Sequence, residues 1–246
     1  MKRLLAVAAA VGFALSGSAA YATVLPTETG TFGGSGGFQT DVTPATESVS
    51  LGEFNPALGT LTQVAISVSY GFSSTLTISN NSGSSSSGSA QTESAAQFSS
   101  TSSAVNAILN NLINTTSASI ASKTLNPAAI VLVSNASNYT LSGSGSTSPS
   151  VTARPQSVSV IDTNPADFAS FEGVGNINFG ITTLTGTLLS NTGGNTSASQ
   201  VTTGNAVVSL TYTYAPPQVP EPGSIFIMAS GLAALGFVSM RKRARG

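Results

Sequence analysis

Residues 61–80 read LTQVAISVSYGFSSTLTISN, and their alternation decides the fold. Val64, Ile66, Val68, Tyr70 and Phe72 fall on one parity, and Leu76 and Ile78 continue it. Ser67, Ser69, Ser73, Thr75 and Thr77 fall on the other. Side chains of an extended chain alternate between two faces, so this period of two predicts a strand with one face in a core and one in water. Gly71 interrupts the pattern and marks an expected bend or bulge, because a glycine weakens a strand interior.

Working outward, the same alternation recurs. In AVVSLTYTY (206–214), Val208, Leu210, Tyr212 and Tyr214 oppose Ser209, Thr211 and Thr213. In VGNINFGITTL (174–184), Ile177, Phe179 and Ile181 oppose Asn176, Asn178 and Thr182. AIVLV (129–133) is a continuous apolar run, which predicts a strand buried on both faces, and SVSVI (157–161) is a further short candidate. SGSSSSGS (82–89), SGSGSTSPS (142–150) and NTGGNTSAS (191–199) read as turns and loops. SAVNAILNNLIN (103–114) puts Val105, Ile108, Leu109 and Leu112 at helical spacing, while its Asn residues and β-branched flanks weaken a helix, so helix and strand both stay open there. Short alternating strands between Gly/Ser turns predict an all-β fold, a single antiparallel β-sandwich over residues 23–215.

Composition excludes several chemistries. The chain has no Cys and no His, hence no disulfide framework, no thiolate, and neither the commonest general base nor the commonest transition-metal ligand. Between Thr23 and Gln218 only Lys123 and Arg154 are basic, against eight acids, a net of −6. A nucleic-acid backbone needs a basic surface, so no nucleic-acid partner is expected. Nothing points to a cofactor, and the expectation is a protein that is not an enzyme. Lys123 lacks a surrounding nucleophile motif.

The remaining acidic candidates are Asp162, Asp167 and Glu172 in IDTNPADFASFEG. Such acids can hold Ca²⁺ through oxygen ligands or act as a glycosidase pair, but the spacing is not that of an EF-hand. The plainer reading is a turn with solvated acids. The aromatic residues could form a sugar-stacking platform, but most sit on the apolar parity of a strand, which favours core packing. Asn-x-Ser/Thr triplets at Asn80, Asn114, Asn135, Asn138 and Asn195 are unremarkable in so Asn/Ser/Thr-rich a chain.

The two ends read as addresses. Residues 1–22 have a basic start at Lys2 and Arg3, an apolar run to Leu15, and small residues at Ala20 and Ala22. This pattern predicts a signal helix cut after Ala22 by signal peptidase. At the other end, APPQVPEP is a stiff extended linker. Residues 225–240 follow without a charge, and Arg241, Lys242, Arg243 and Arg245 close the chain. A sixteen-residue helix spans about 24 Å, slightly short of a ~30 Å hydrocarbon core. The basic cluster nevertheless predicts a transmembrane helix over 225–240 with its basic tail, 241–246, kept in the cytoplasm. Pro220, Glu221 and Pro222 then lie just outside the membrane, in an extended form that suits a protease groove.

Pro220-Glu221-Pro222, an apolar segment and an Arg/Lys cluster, in that order, resemble the PEP-CTERM sorting signal of Gram-negative bacteria. The resemblance covers about the last 28 residues, from Val219 on. It implies recognition by an exosortase, removal of the tail, and delivery to the cell surface or an extracellular polymer, with exopolysaccharide as a further partner. EFNPALGTLTQVAISVS, ADFASFEGVGNINF and AVVSLTYTY resemble the choice-of-anchor E domain, an exported β-rich family found with alternative C-terminal anchors. That second resemblance implies export and anchoring and carries no catalytic residues.

Overall fold

A computed structural model describes residues 21–40, 45–113, 118–120, 123–125 and 129–217. The signal helix, the transmembrane helix and the basic tail expected from the sequence lie outside these residues, apart from Tyr21 and Ala22. In chain order the elements are β1 (Thr23–Val24), β2 (Glu28–Phe32), β3 (Phe38–Thr40), β4 (Ala45–Gly52), β5 (Thr60–Asn80), β6 (Ser86–Ser100), α1 (Ser103–Ile113), β7 (Ala118–Ile120) and β8 (Lys123–Leu125). There follow β9 (Ile130–Val133), β10 (Ser137–Leu141), β11 (Gly145–Thr147), β12 (Ser150–Asp162), α2 (Pro165–Phe168), β13 (Asn176–Thr192) and β14 (Thr196–Ala215). Ala22–Ala215 form one compact unit.

The body is mostly β-strand, in two antiparallel sheets. In the first, β5 and β14 pair along their whole length, from Thr60↔Ala215 to Asn80↔Thr196. β1, β2 and β3 line the far side of β14, while β11 and β12 line the far side of β5. In the second sheet β6 and β13 are central, with β4 beyond β13 and β9 and β10 beyond β6. β7 and β8 pair with each other. The alternation read from residues 61–80 holds throughout: Val64, Ile66, Val68, Tyr70, Phe72, Leu76 and Ile78 are all buried. Val64, Ile66, Val68, Tyr70 and Phe72 meet Phe98 of β6 and Ile177, Phe179 and Ile181 of β13 in a core shared by both sheets. Every aromatic residue from Phe32 to Tyr212 is buried, so these rings are core and not a stacking platform.

Several expectations are corrected. Gly71 does not bulge its own strand. The bulge is in β12, between Ala153 and Gln156, and a Cβ on Gly71 would stand 3.0 Å from the Pro155 ring. The glycine is the space that the proline bulge occupies. Ser86–Ser89, expected as a loop, opens the long central strand β6, while Thr192 ends β13 and Thr196 starts β14, leaving a tight hairpin. AIVLV supplies a four-residue edge strand: Ile130 and Leu132 face the main core, Val131 packs on a small second cluster, and Val133 is exposed. Residues Ser103–Ile113 form a helix whose Val105, Leu109 and Ile113, four apart, are buried. Helical spacing prevails over propensity here because that stripe closes the core.

The interior changes character at one level on all four central strands. Along β5 it runs Phe72, Ser74, Leu76; along β6, Ala96, Ser94, Thr92, Ala90. Along β13 it runs Ile181, Thr183, Thr185, and along β14 Ala206, Thr202, Ala198. The hydroxyls bond to one another: Ser94 with Tyr70 and Thr185 with Thr40, at 2.8 Å, link the two sheets, while Ser94 with Thr185 and Ser74 with Thr202, at 2.8 Å, link neighbouring strands within a sheet. Beyond this polar belt lies a separate apolar cluster of Leu76, Ile78, Ala90, Tyr139 and Val151. Buried hydroxyls are tolerated because most are paired. The Thr183 hydroxyl and the Gln200 side-chain nitrogen are the exceptions in the belt.

Candidate functional site

Two places carry what chemistry the sequence offers. The first is the acidic loop after β12. The Asp162 carboxylate accepts from the backbone N–H of Asn164 at 2.9 Å. Asn164 caps α2 by accepting from the Ala166 N–H at 3.3 Å, and its amide donates to Asp167 at 2.7 Å. Pro165 occupies the first helical turn, where its missing N–H is harmless. Phe168 and Phe171 are buried and pin the loop, and the Phe54 N–H donates to the Phe171 carbonyl at 2.7 Å. Asp162 and Asp167 therefore meet through Asn164. Glu172 stands apart, exposed and bridged to Phe54 through the backbone. Among the described residues no three His, Cys, Asp or Glu side chains converge on a metal position. Asp162 and Asp167 take part in the Asn164 turn and the cap of α2. Lys123 falls in β8, remote in sequence from these acids.

The second place is the exit of the chain toward its C-terminal segment. The last strand, β14, is held on both sides up to that exit. Tyr214 and Thr213 pair with Thr23 and Val24 of β1, and the Leu25 N–H donates to the Tyr212 carbonyl at 2.9 Å. Phe54 packs on Tyr212 and Tyr214, with ring centroids 5.8 and 5.4 Å away. The Tyr212 hydroxyl donates to the Gly52 carbonyl at 2.8 Å, and the Gly52 N–H donates to Glu28 at 2.6 Å. Glu53 accepts from the Gly175 N–H at 2.9 Å. Burial, then the negative charges of Glu28 and Glu53, raise the Tyr212 phenol well above its ordinary range. The ladder ends at Ala215; Pro216 and Pro217 follow and have no N–H to extend it.

Ala22, exposed, immediately precedes β1, so both expected processing regions flank paired strands. Ala20, Pro220, Glu221, Pro222, the 225–240 segment and Arg241, Lys242, Arg243 and Arg245 lie outside the described residues. The roles of Glu28 and Glu53 have no counterpart in the sequence reading, since an isolated glutamate beside a glycine carries no motif. Of the Asn-x-Ser/Thr triplets, Asn80 is buried: its amide donates to the Ser84 and Gly143 carbonyls at 2.7 and 3.0 Å and its oxygen accepts from the Asn195 N–H at 3.2 Å. It ties three turns together. Asn135, Asn138 and Asn195 are exposed, and Asn114 lies outside the described residues. Among the described residues no helix is long and apolar enough to cross a membrane.

Comparison with known proteins identifies one feature. The PEP-CTERM protein-sorting motif matches residues 218–243. The motif agrees with the sequence reading of the tail and fits an exported protein processed by exosortase and carried to the cell surface by way of a membrane anchor. No curated protein matches the chain. Among solved structures, that of infectious bursal disease virus, Gx strain, aligns at 10% identity over 86% of this chain and 48% of that one, with a TM-score of 0.14. The chain thus spans about half the length of that protein, and so low a score carries no argument about fold.

Proposed function

We propose that this protein is an exported, non-enzymatic surface component. A single β-sandwich is delivered by an exosortase-type system to the cell surface or the extracellular polymer matrix, where it acts as a structural or adhesive part of exopolysaccharide or biofilm. The observation that carries this reading is the sorting motif at residues 218–243. The N-terminal pattern ending at Ala20 and Ala22 supports it, as do the resemblance of the body to the choice-of-anchor E family and the lack of His and Cys. In this reading signal peptidase removes residues 1–22, residues 225–240 hold the chain in the membrane, and exosortase acts near Pro220-Glu221-Pro222. Truncation before Pro220 tests it. The full chain is expected on the cell surface, with an intact mass lacking both ends, and the truncated chain in the medium or periplasm. Identical fractionation of the two would sink the sorting claim.

A further inference from the structure

The outer face of the β5–β14 sheet is built without charge. Neither β5 nor β14 contains a single Asp, Glu, Lys or Arg in 21 and 20 residues. Pairing puts their hydroxyls in rows across strands: Ser159, Ser67 and Ser209 in one, Ser150 beside Thr75 in another. From Ser67 to Ser79 the array runs about 40 Å, at about 3.3 Å per residue. Its hydroxyl-bearing side chains are exposed or half-buried, and at Gly71 the Pro155 ring of the β12 bulge lies over it. The acids of the neighbouring strands point away. Glu28 pairs with Leu210 and Asp162 with Val64, and both partners face the core, so these carboxylates share the inner parity. The basic residue of β12, Arg154, is exposed in the bulge beside Pro155, so β12 brings one cation to a surface that β5 and β14 leave uncharged.

Such a face is unusual for a surface whose solubility and resistance to sheet stacking ordinarily rest on interspersed charges. Its chemistry narrows the partner. Anionic polymers and nucleic acids need cations, which β5 and β14 lack. A membrane surface needs an apolar face with basic residues. A protein interface is anchored by aromatic or Arg side chains, but Tyr70, Phe72 and Tyr212 of these strands all point inward. Val201 and Ile161, both 62% exposed, and the half-buried Val207 are single apolar side chains set among hydroxyls. Ser and Thr hydroxyls both donate and accept, so they can exchange hydrogen bonds with another hydroxylated surface without stripping water from an ion.

We infer that this face binds a neutral, hydroxyl-rich polysaccharide, laid across strands β12, β5 and β14. The inference rests on the surface-component reading above and names its partner class and the face that meets it. Processed protein recovered from the cell surface is tested for retention on insoluble cellulose, a neutral glucan, and on alginate, an anionic polymer. The expected result is retention on cellulose alone, unchanged between about 0.05 and about 0.5 M salt. The triple variant Ser157→Glu, Thr75→Glu, Ser199→Glu places carboxylates on exposed positions of the face and is expected to weaken retention by about tenfold or more. The control Ser48→Glu, Thr140→Glu, Ser190→Glu adds the same charge to exposed positions of the other sheet and keeps wild-type retention. Equal thermal midpoints for the two variants establish that folding is not the cause. No retention on cellulose, salt-sensitive retention, or equal loss in both variants overturns the inference. So does a wild-type dimer that the face variant makes monomeric, which would assign the face to a second copy of the chain. Protease shaving of whole cells reads delivery separately: a face variant still at the surface leaves the sorting reading intact whatever the cellulose result.

Discussion

Tyr70 sits where the main core meets the polar belt, and its chemistry sets a pH limit on the fold. Burial pushes its phenol up to about 12 from an ordinary 10.0, against the lowering effect of the hydrogen bond with Ser94. A raised acid pKa means the folded state keeps the proton that the unfolded chain gives up. The contribution is fully present below about pH 10 and is lost as pH climbs toward about 12, because there the unfolded state binds fewer protons. A two-unit shift corresponds to about 3 kcal/mol. Stability is therefore expected to be flat from neutral pH to about 9.5 and to fall steeply above about 10, with Tyr212 adding to the fall. Tyr70→Phe removes one of the two groups and leaves Ser94 its contacts with Thr185 and the Leu184 carbonyl. Urea midpoints across this alkaline range should decline less steeply in the variant. Equal slopes would show that Tyr70 is not a source of the sensitivity.

At the scale of elements, the pairing of β6 with β13 is tight enough to dictate residues. A Cβ on Gly88 would lie 1.9 Å from the Ser190 carbonyl oxygen, a backbone atom of the neighbouring strand that cannot swing aside. Gly88→Ala is expected to cost about 2 kcal/mol or more, through strand displacement. Gly83 faces open space, and Gly83→Ala is expected to be neutral or slightly stabilising because it restricts the unfolded chain. Denaturant midpoints of the two variants check the contrast. The same pair of strands shows what the sequence could and could not reveal. β5, β13 and β14 were legible because large apolar residues alternate with Ser, Thr or Asn. β6 was hidden: Gln91, Glu93 and Gln97 face outward, but its inward residues before Phe98 include Ala90, Thr92, Ser94 and Ala96, small or hydroxylated, and give no apolar face to read. Period-two contrast fades when the inward face is made of Ser, Thr and Ala. The acidic loop was legible as chemistry but not as geometry, since only Asn164 capping α2 decides that Asp162 and Asp167 turn inward on the loop itself.

For the body as a whole, the polar belt divides one interior into two. The larger cluster holds most of the aromatic rings; the smaller relies on Leu76, Ile78, Ala90, Tyr139 and Val151. Hydrophobic contact does not run continuously across the seam, and apolar area is what sets local stability. Hydrogen exchange should therefore show amides of Leu76–Asn80 and Ser86–Ala90 opening at lower free energy than those of Val64–Phe72, on the same strands. Equal protection along β5 would mean that the belt's hydrogen bonds couple the two clusters into a single unit.

The placement of the last strand has a mechanical consequence. A pull on the C-terminal segment enters β14 along its own axis, and β14 lies between β5 and the strands β1, β2 and β3. Ladder hydrogen bonds run perpendicular to their strands, so tension along β14 loads many of them together in shear. An edge strand drawn sideways would instead unzip one bond at a time. A tether leaving from the interior of the sheet is thus resisted by rows of bonds on both flanks, and a body pulled through its final strand yields late and all at once.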